Sequence, residues 1–263
     1  MEIRADGISV TLGRREIIKN LSLALSEREF VVLIGLNGAG KTTLMKALMG
    51  FLPLAGGRVT YDGADLSGIP VNERAKLIAY MPQRPEQRAE YSALEFVMMG
   101  AAPYLGFFEK PGKRERGRAE EILSEYSVRH LKDRRMCDIS AGEAQLMYIA
   151  RADMQGAKWL ILDEPTASLD YLKQRWLMGK LKSFAEKSPM GILISVHYPD
   201  FALEFADMVL VMDNGGRLSR VGRAEGDFEE RLTEELNRVY GGKLTLMGSG
   251  GAYMYFWNEK GGM

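Results

Sequence analysis

A glycine-rich loop set between an apolar run and a helix is the feature that most constrains this chain. The loop, Gly35-Leu36-Asn37-Gly38-Ala39-Gly40-Lys41-Thr42, fits the pattern G-x-x-x-x-G-K-[ST] at every fixed position. The apolar run Phe30–Ile34 before it predicts a buried strand, and Thr43–Met49 after it predicts a helix that Gly50 ends. Glycines let successive backbone N–H groups turn inward, and these donors form an anion cradle with the helix N-terminus. The sequence therefore predicts a phosphate-binding loop.

Three side chains of this segment have predicted roles toward a nucleotide. Lys41 is expected to reach the β- and γ-phosphates, and Thr42 is expected to ligate Mg²⁺, with Thr43 completing the phosphate contacts. The alternative is a glycine-rich turn that happens to contain a lysine. The preceding strand and the following helix favour the phosphate site, because the motif requires that setting.

A second apolar run, Trp159–Leu162, closes on two adjacent carboxylates. Asp163 is predicted to hold Mg²⁺, through water, since this metal prefers a few carboxylates with phosphates and waters. Glu164 is placed to orient or deprotonate an attacking water. A solvated acidic turn is the alternative, because acidic residues are common in turns. The phosphate loop earlier in the chain favours the nucleotide site.

Three further motifs stand at predicted element boundaries. Gln83 follows the strand-like Leu77–Tyr80, and His197 follows the apolar Gly191–Val196, where a sheet would present it to a ligand. Ser140-Ala141-Gly142-Glu143 precedes an apolar helix. Its Ser-x-x-Glu spacing is also a helix capping box, whose positive end suits a phosphate. A well-capped helix and a phosphate sensor therefore have the same local geometry.

In this order the motifs resemble those of the nucleotide-binding subunits of ATP-binding cassette (ABC) proteins. The resemblance covers most of the chain and rests on Gly35–Thr42, Gln83, Ser140–Glu143, Asp163-Glu164, Ser168-Leu169-Asp170 and His197. It implies that two such subunits enclose two ATP molecules head to tail.

The resemblance also implies a role for each remaining motif. Ser140 and Gly142, with Glu143 in the same motif, would meet the γ-phosphate held by the other subunit's loop. Asp170 would pack against that loop, and His197 would contact the γ-phosphate. Gln83 would link Mg²⁺ to the transporter.

The chain departs from the family pattern in three places. Ala141 stands where a glycine is usual, and the basic residue usual soon after the glutamate is missing from Ala144-Gln145-Leu146. Leu12 stands in the segment that normally carries an aromatic residue stacked on adenine, so it offers apolar contact only. These differences bear on nucleotide affinity and turnover rather than on the fold.

The order of elements predicts an α/β fold. We expect a phosphate-loop NTPase core with an N-terminal antiparallel β subdomain, strands Ile3–Leu12 and Glu16–Leu25, and an inserted α-helical subdomain. The whole chain forms one nucleotide-binding domain in this interpretation. Its parts are a core at about 1–85 and 155–225, the helical subdomain at about 86–154, and a tail at about 226–263. The tail is expected to hold one amphipathic helix and the edge strand Tyr253–Trp257.

Composition excludes several classes of protein. The 263 residues carry no formal net charge, which argues against broad nucleic-acid binding. A single cysteine, Cys137, excludes an internal disulfide framework and suits a reducing compartment. Met1–Asp6 lacks the apolar core of a signal peptide, and no run approaches the length needed to span a bilayer. If the protein works at a membrane, we expect another subunit to cross it.

The uncharged stretch Phe96–Phe108 is the segment most suggestive of a partner. Contiguous apolar surface often marks a docking site, and methionines suit such a surface, although ordinary subdomain core is an equal alternative. Within it, Gly100–Gly106 resembles the Gly-x-x-Pro-x-Leu-Gly stretch of ABC subunits in iron–siderophore, haem and cobalamin importers. It lacks the arginine that is usual after the first glycine.

Together these observations predict the ATPase subunit of a membrane importer. Its cofactors would be ATP and Mg²⁺, with Lys41, Glu164 and His197 as catalytic residues. Its partners would be a second copy or a paired ABC subunit, a multi-span permease and a solute-binding protein, at the cytoplasmic face of the cell membrane. Nucleic acid is not expected as a partner. The alternatives are a soluble ABC ATPase acting on nucleic acid or ribosomes, and a weakly hydrolysing regulator.

Overall fold

The computed structural model describes residues 1–83, 90–106, 108–187, 190–242, 244–249 and 252–257. The strands are β1 Ile3–Leu12, β2 Arg15–Leu25, β3 Phe30–Gly35, β4 Gly56–Tyr61, β5 Ala64–Asp65, β6 Ile78–Met81, β7 Trp159–Leu162, β8 Gly191–Ser195, β9 Met208–Met212, β10 Leu218–Gly222, β11 Leu244–Ser249 and β12 Ala252–Trp257. The α-helices are α1 Lys41–Leu48, α2 Val71–Leu77, α3 Ala93–Met98, α4 Lys113–Glu125, α5 Ala141–Met154, α6 Tyr171–Lys187, α7 Pro199–Phe205 and α8 Phe228–Tyr240.

A six-stranded sheet, in the order β10-β9-β3-β8-β7-β6, forms the centre of the fold. All neighbours from β9 to β6 pair in parallel, and only β10 is antiparallel, as the second arm of a hairpin with β9. Parallel strands are buried on both faces, which explains why β3, β7, β8 and β9 are fully buried and apolar, apart from Ser195 at the end of β8. The carboxyl ends of β3, β8, β7 and β6 therefore lie along one edge of the sheet.

The two faces of the sheet belong to two hydrophobic cores. Phe30, Val32 and Ile34 of β3 pack in the core that includes the helices of the segment 93–154. Val31 and Leu33, which alternate with them, pack in the other core with the first strands of the chain. This alternation follows from the two-residue period of a strand. It fixes β3, and the loop that follows it, between two layers.

The N-terminal strands form a four-stranded antiparallel sheet in the order β2-β1-β4-β5. The two predicted strands are present, with β2 beginning at Arg15, one residue before the predicted start. This sheet is tied to the central sheet by the buried Trp159, whose Nε1 donates a hydrogen bond to the carbonyl oxygen of Met1 at 3.1 Å.

The segment 93–154 is helical, as the sequence predicts. Capping boxes begin both α3, at Ser92, and α5, at Ser140. The exact start predicted for this subdomain, near residue 86, lies outside the described residues. The division of the chain into core, helical subdomain and tail remains an interpretation.

The apolar stretch Phe96–Phe108 divides between core and surface. Phe96 and Val97 are buried, whereas Tyr104 is 54% and Phe108 is 93% exposed; Phe107 lies outside the described residues. Phe96 and Val97 are therefore ordinary core, whereas Tyr104 and Phe108 lie on the surface. No helix in the described ranges is long and apolar enough to cross a membrane.

The tail forms α8 and a two-stranded antiparallel hairpin of β11 and β12. The predicted edge strand is β12, but the sequence analysis did not predict β11. The hairpin is fixed to the fold by the backbone N–H of Tyr255, which donates to Asp200 Oδ1 at 2.7 Å, and by the Tyr255 hydroxyl, which lies 3.1 Å from Thr233 Oγ1.

Replacing two glycines by alanine is expected to change the free energy of unfolding in opposite directions. A Cβ on Gly100 would lie 2.3 Å from the carbonyl oxygen of Arg151 in α5, whereas a Cβ on the helical Gly117 would meet nothing within 4 Å. We expect Gly100→Ala to lower the free energy of unfolding by about 1–3 kcal/mol. Gly117→Ala should raise it by about 0.5–1 kcal/mol, because alanine is the better helix former.

Urea denaturation of the two variants beside the wild type measures both changes. Gly117→Ala is the matched control, since it adds the same methyl group in open space. Wild-type stability of Gly100→Ala would contradict the close contact between this glycine and α5.

Candidate functional site

Four of the predicted motifs meet at one edge of the central sheet. The phosphate loop follows β3, Asp163-Glu164 follows β7, His197 stands two residues after β8, and Gln83 two residues after β6. Because β3, β8, β7 and β6 are consecutive parallel neighbours, these residues come from adjacent strand ends. In open α/β sheets this carboxyl edge is where ligands bind.

The phosphate loop needs its glycines. Gly38 and Gly40 have φ of +80° and +106°, which L-residues rarely adopt. A Cβ on Gly40 would also lie 2.8 Å from Ile17 Cγ2, and one on Gly35 would lie 2.2 Å from the carbonyl oxygen of Met212. The loop thus follows the sheet closely and leads into α1, whose first N–H groups have no acceptor within the helix.

Lys41, the first residue of α1, folds back over the loop. Its buried Nζ donates to the carbonyl oxygens of Gly35 at 2.9 Å and Leu36 at 3.3 Å. Burial lowers the pKa of Lys41, and the charges of Glu164 and Asp163 oppose that shift. The side chain thus places a cation inside the curve of the loop, next to the two carboxylates.

Asp163 connects the phosphate loop to β8. Its Oδ2 accepts a hydrogen bond from Thr42 Oγ1 at 2.6 Å, and its Oδ1 accepts one from Ser195 Oγ at 2.8 Å. The carboxylate is 1% exposed. Carboxylate and hydroxyl oxygens are ligands that Mg²⁺ prefers, so Thr42 and Asp163 fit this ion.

Glu164 is held through both its backbone and its side chain. It has a left-handed backbone conformation with φ of +51°, and its N–H donates to Ser195 Oγ at 2.8 Å. Its Oε2 lies 2.8 Å from His197 Nε2 and accepts a hydrogen bond from Gln83 Nε2. The structure therefore brings three residues predicted from separate motifs into direct contact.

Ser195 contacts both acidic residues and was not predicted from the sequence. The one local signal was a hydroxyl residue interrupting the apolar run Gly191–Val196, two positions before His197. A serine there could equally be a satisfied core group, because only the pairing of β8 with β7 brings it to Asp163 and Glu164.

The Ser140 motif forms the predicted capped helix start. Ser140 Oγ donates to Glu143 Oε2 at 2.7 Å, the Ser140 N–H donates to the same oxygen at 2.9 Å, and these bonds lower the pKa of Glu143. Ala141 is the first residue of α5 and has no positive φ, so alanine in place of glycine costs little there. Ala144 and Leu146 are buried, in the region where the family's basic residue is missing.

The remaining predicted residues lie away from the loop of their own chain. In the described ranges, Ser140, Gly142, Glu143 and Asp170 make no hydrogen bond or ion pair with Gly35–Thr43. Asp170 is bonded instead to the N–H of Lys173 at 3.0 Å. Leu12 lies 44% exposed at the end of β1.

Comparison with known proteins agrees with this arrangement. The family model described as ABC transporter matches residues 18–167. An uncharacterised ABC transporter ATP-binding protein of Haemophilus influenzae is 33% identical over 91% of this chain and 89% of its own length. A probable iron chelatin transport ATP-binding protein of Helicobacter pylori is 30% identical, covering 81% and 84%. The zinc transport system ATP-binding protein TroB of Treponema pallidum is 31% identical, covering 92% and 88%.

Solved structures share the fold. An inward-facing putative metal-chelate type ABC transporter has a chain that superposes with a TM-score of 0.82 at 22% identity, over 98% of both chains. An ATP-binding cassette of an ABC transporter in its ADP conformation superposes with a TM-score of 0.78 at 25% identity, over 92% of this chain and 99% of that chain. These structures confirm the predicted α/β fold class. The chain belongs to the ABC transporter family and is an ATP-binding subunit, an ATPase.

Proposed function

We propose that this chain hydrolyses Mg²⁺-ATP in a head-to-tail dimer to drive a membrane importer. The observation that carries the proposal is the contact of Glu164 with His197 and Gln83, directly beside the Asp163–Thr42 pair. An acid that orients water, a metal-binding pair and a phosphate loop are the parts that phosphoryl transfer requires.

Lys41, Thr42 and Asp163 form the nucleotide and metal half of this site. The loop N–H groups and Lys41 hold the β- and γ-phosphates, and Lys41 exchanges its contacts with Gly35 and Leu36 for phosphate oxygens. Thr42 and Asp163 hold Mg²⁺, which neutralises charge on the phosphates when it is bound. Ser195 keeps the Asp163 carboxylate in place from the other side.

Glu164 and His197 form the half that handles water. Both donors to Glu164 reach Oε2, so Oε1 accepts no hydrogen bond from the described residues and is free to accept one from a water. His197, 42% exposed in its side chain, reaches toward the γ-phosphate position from the adjacent strand end. Gln83, which donates a hydrogen bond to Glu164, would link bound Mg²⁺ to the transporter.

The site is completed by a second subunit, either another copy or a paired ABC protein. The capped start of α5 and Asp170 do not bond to their own loop, so in a head-to-tail dimer they are free to face the loop of the partner. Closed two-fold symmetry gives two equivalent sites from one sequence. Ser140, Gly142 and Glu143 then meet the γ-phosphate in trans.

The importer includes a multi-span permease and a solute-binding protein, with this subunit at the inner face of the membrane. The transported solute is an iron chelate: a relative of this chain is described as acting in iron chelatin transport, and Gly100–Gly106 resembles a stretch of chelate importers. Ferric siderophores and haem belong to this class, and cobalamin, a cobalt chelate, is a further candidate. Free divalent metal is the competing solute, because another relative belongs to a zinc transport system.

The weakly hydrolysing regulator is less well supported. It is motivated by Ala141, Ala144 and Leu12, and of these Ala141 has an ordinary helical conformation that leaves the helix start intact. A nucleic-acid ATPase is disfavoured by the balanced charge.

Replacing Glu164 by glutamine tests the catalytic role. We expect Glu164→Gln to bind ATP, to dimerise with ATP and to lose about 10²–10⁴-fold in kcat, because the amide cannot accept the water's proton. Steady-state ATPase assays and size-exclusion chromatography with ATP measure these effects. Glu73→Gln, at an exposed carboxylate paired with Lys76, is the matched control. Wild-type turnover of Glu164→Gln would remove Glu164 from this role.

Purification of the tagged protein from native membranes in mild detergent tests the importer. We expect a multi-span permease to be recovered with it. Vesicles containing that complex should then take up a ferric siderophore with ATP, and Glu164→Gln should abolish the uptake. Uptake of free zinc or manganese in place of the chelate would replace the proposed solute. Recovery of ribosomal or DNA-bound partners without a permease would exclude the importer.

A further inference from the structure

Gln145 is a buried polar side chain with no role in the site described above. It lies on α5, one turn after the Ser140 cap, and is 4% exposed. Its Nε2 donates to the carbonyl oxygen of Glu164 at 3.3 Å, and its Oε1 accepts from the N–H of Ser168 at 3.3 Å. The amide thus bonds two residues of the turn that leads from Glu164 to Asp170: Glu164 at its start and Ser168 farther along.

A second contact joins α5 to the same turn. A Cβ on Gly142, three residues before Gln145 and on the same helix face, would lie 3.2 Å from both Leu169 Cδ2 and the carbonyl oxygen of Ser168. The absence of a side chain at this position lets the helix approach the turn closely. Gln145 is therefore close enough to the turn for its amide to hydrogen-bond the backbone of the turn.

The bond to Glu164 falls on a strained residue. The left-handed φ of Glu164 persists only if its surroundings hold it. Ser195 Oγ accepts its N–H, and Gln145 Nε2 donates to its C=O, which also accepts from the N–H of Ala167 at 3.2 Å. Side-chain bonds therefore hold both backbone groups of Glu164, one from the sheet and one from α5.

We propose that Gln145 is a positioning residue that links the nucleotide-sensing start of α5 to Glu164 of the same chain. This inference rests on the proposed head-to-tail dimer, in which α5 contacts the nucleotide of one site while Glu164 acts in the other. Gln145 then forms a direct hydrogen-bonded path between the two sites. Movement of α5 on the partner's nucleotide changes the orientation of Glu164 through this amide.

The test replaces the amide without changing its shape. Gln145→Met keeps the volume and removes both hydrogen bonds. We expect kcat to fall about tenfold, equivalent to the loss of one such interaction in the transition state, while the Kd for ATP stays within about twofold. In the Glu164→Gln background, Gln145→Met should not lower the residual single-turnover rate further, because it acts through Glu164.

Gln174 provides the matched control. It is also a buried glutamine, on α6, and its Nε2 donates to the carbonyl oxygens of Thr166 and Leu169 in the same turn, but it does not bond Glu164. Gln174→Met should lower the melting temperature through the loss of its two donated bonds and leave kcat within about threefold, as a purely structural loss would. Equal loss of kcat in both variants would overturn the proposal.

A second variant covers the case in which Gln145→Met does not fold. Gln145→Asn keeps a neutral amide but shortens the side chain by one methylene, so the amide no longer reaches the carbonyl oxygen of Glu164 and kcat should also fall with ATP binding retained. Wild-type kcat in a folded Gln145→Asn protein would overturn the link. A further loss of rate on adding Gln145→Met to Glu164→Gln would also overturn the link, because the effect would then lie on α5 and not on Glu164. Failure of the underlying function is seen separately, as wild-type protein without ATPase activity or Glu164→Gln protein that remains monomeric with ATP.

Discussion

The site depends on the hydrogen bonds that the carboxylate of Asp163 accepts. This carboxylate accepts hydrogen bonds from Thr42 at the start of α1 and from Ser195 at the end of β8, so α1, β8 and the end of β7 meet at one buried carboxylate. A buried carboxylate must be satisfied by partners, because an unpaired one would be very costly to desolvate. The order of strands β3, β8 and β7 is therefore inseparable from the chemistry, since it brings these three segments together.

Glu164, the proposed catalytic acid, has a strained backbone that the fold holds in place. A left-handed backbone costs a non-glycine residue about 1–3 kcal/mol. This conformation is held by Ser195 on one side and Gln145 on the other, and the side chain is in turn bonded to His197 and Gln83. The proposed water-orienting acid is thus connected to two strands of the sheet and to α5. Its geometry can respond to each of them.

Local patterns in the sequence predicted the residues whose signal is local. The phosphate loop, the acidic pair after β7 and the Ser140 capping box are short motifs, and each was found at the predicted element boundary. Ser195 and Gln145 were missed because their partners are distant in sequence. Ser195 meets Asp163 across paired strands, and Gln145 meets Ser168 between a helix and a turn.

Local backbone geometry and packing explain which residue of the Ser140 motif can differ from the family pattern. Ala141 replaces a glycine at the first position of α5, where the backbone is helical and any residue fits. Gly142, the next residue, is retained, and there a methyl group would crowd Leu169 and Ser168. The motif therefore needs glycine for close approach rather than for backbone freedom. Gln145 uses that approach, because a helix held farther from the turn could not bring its amide to Glu164.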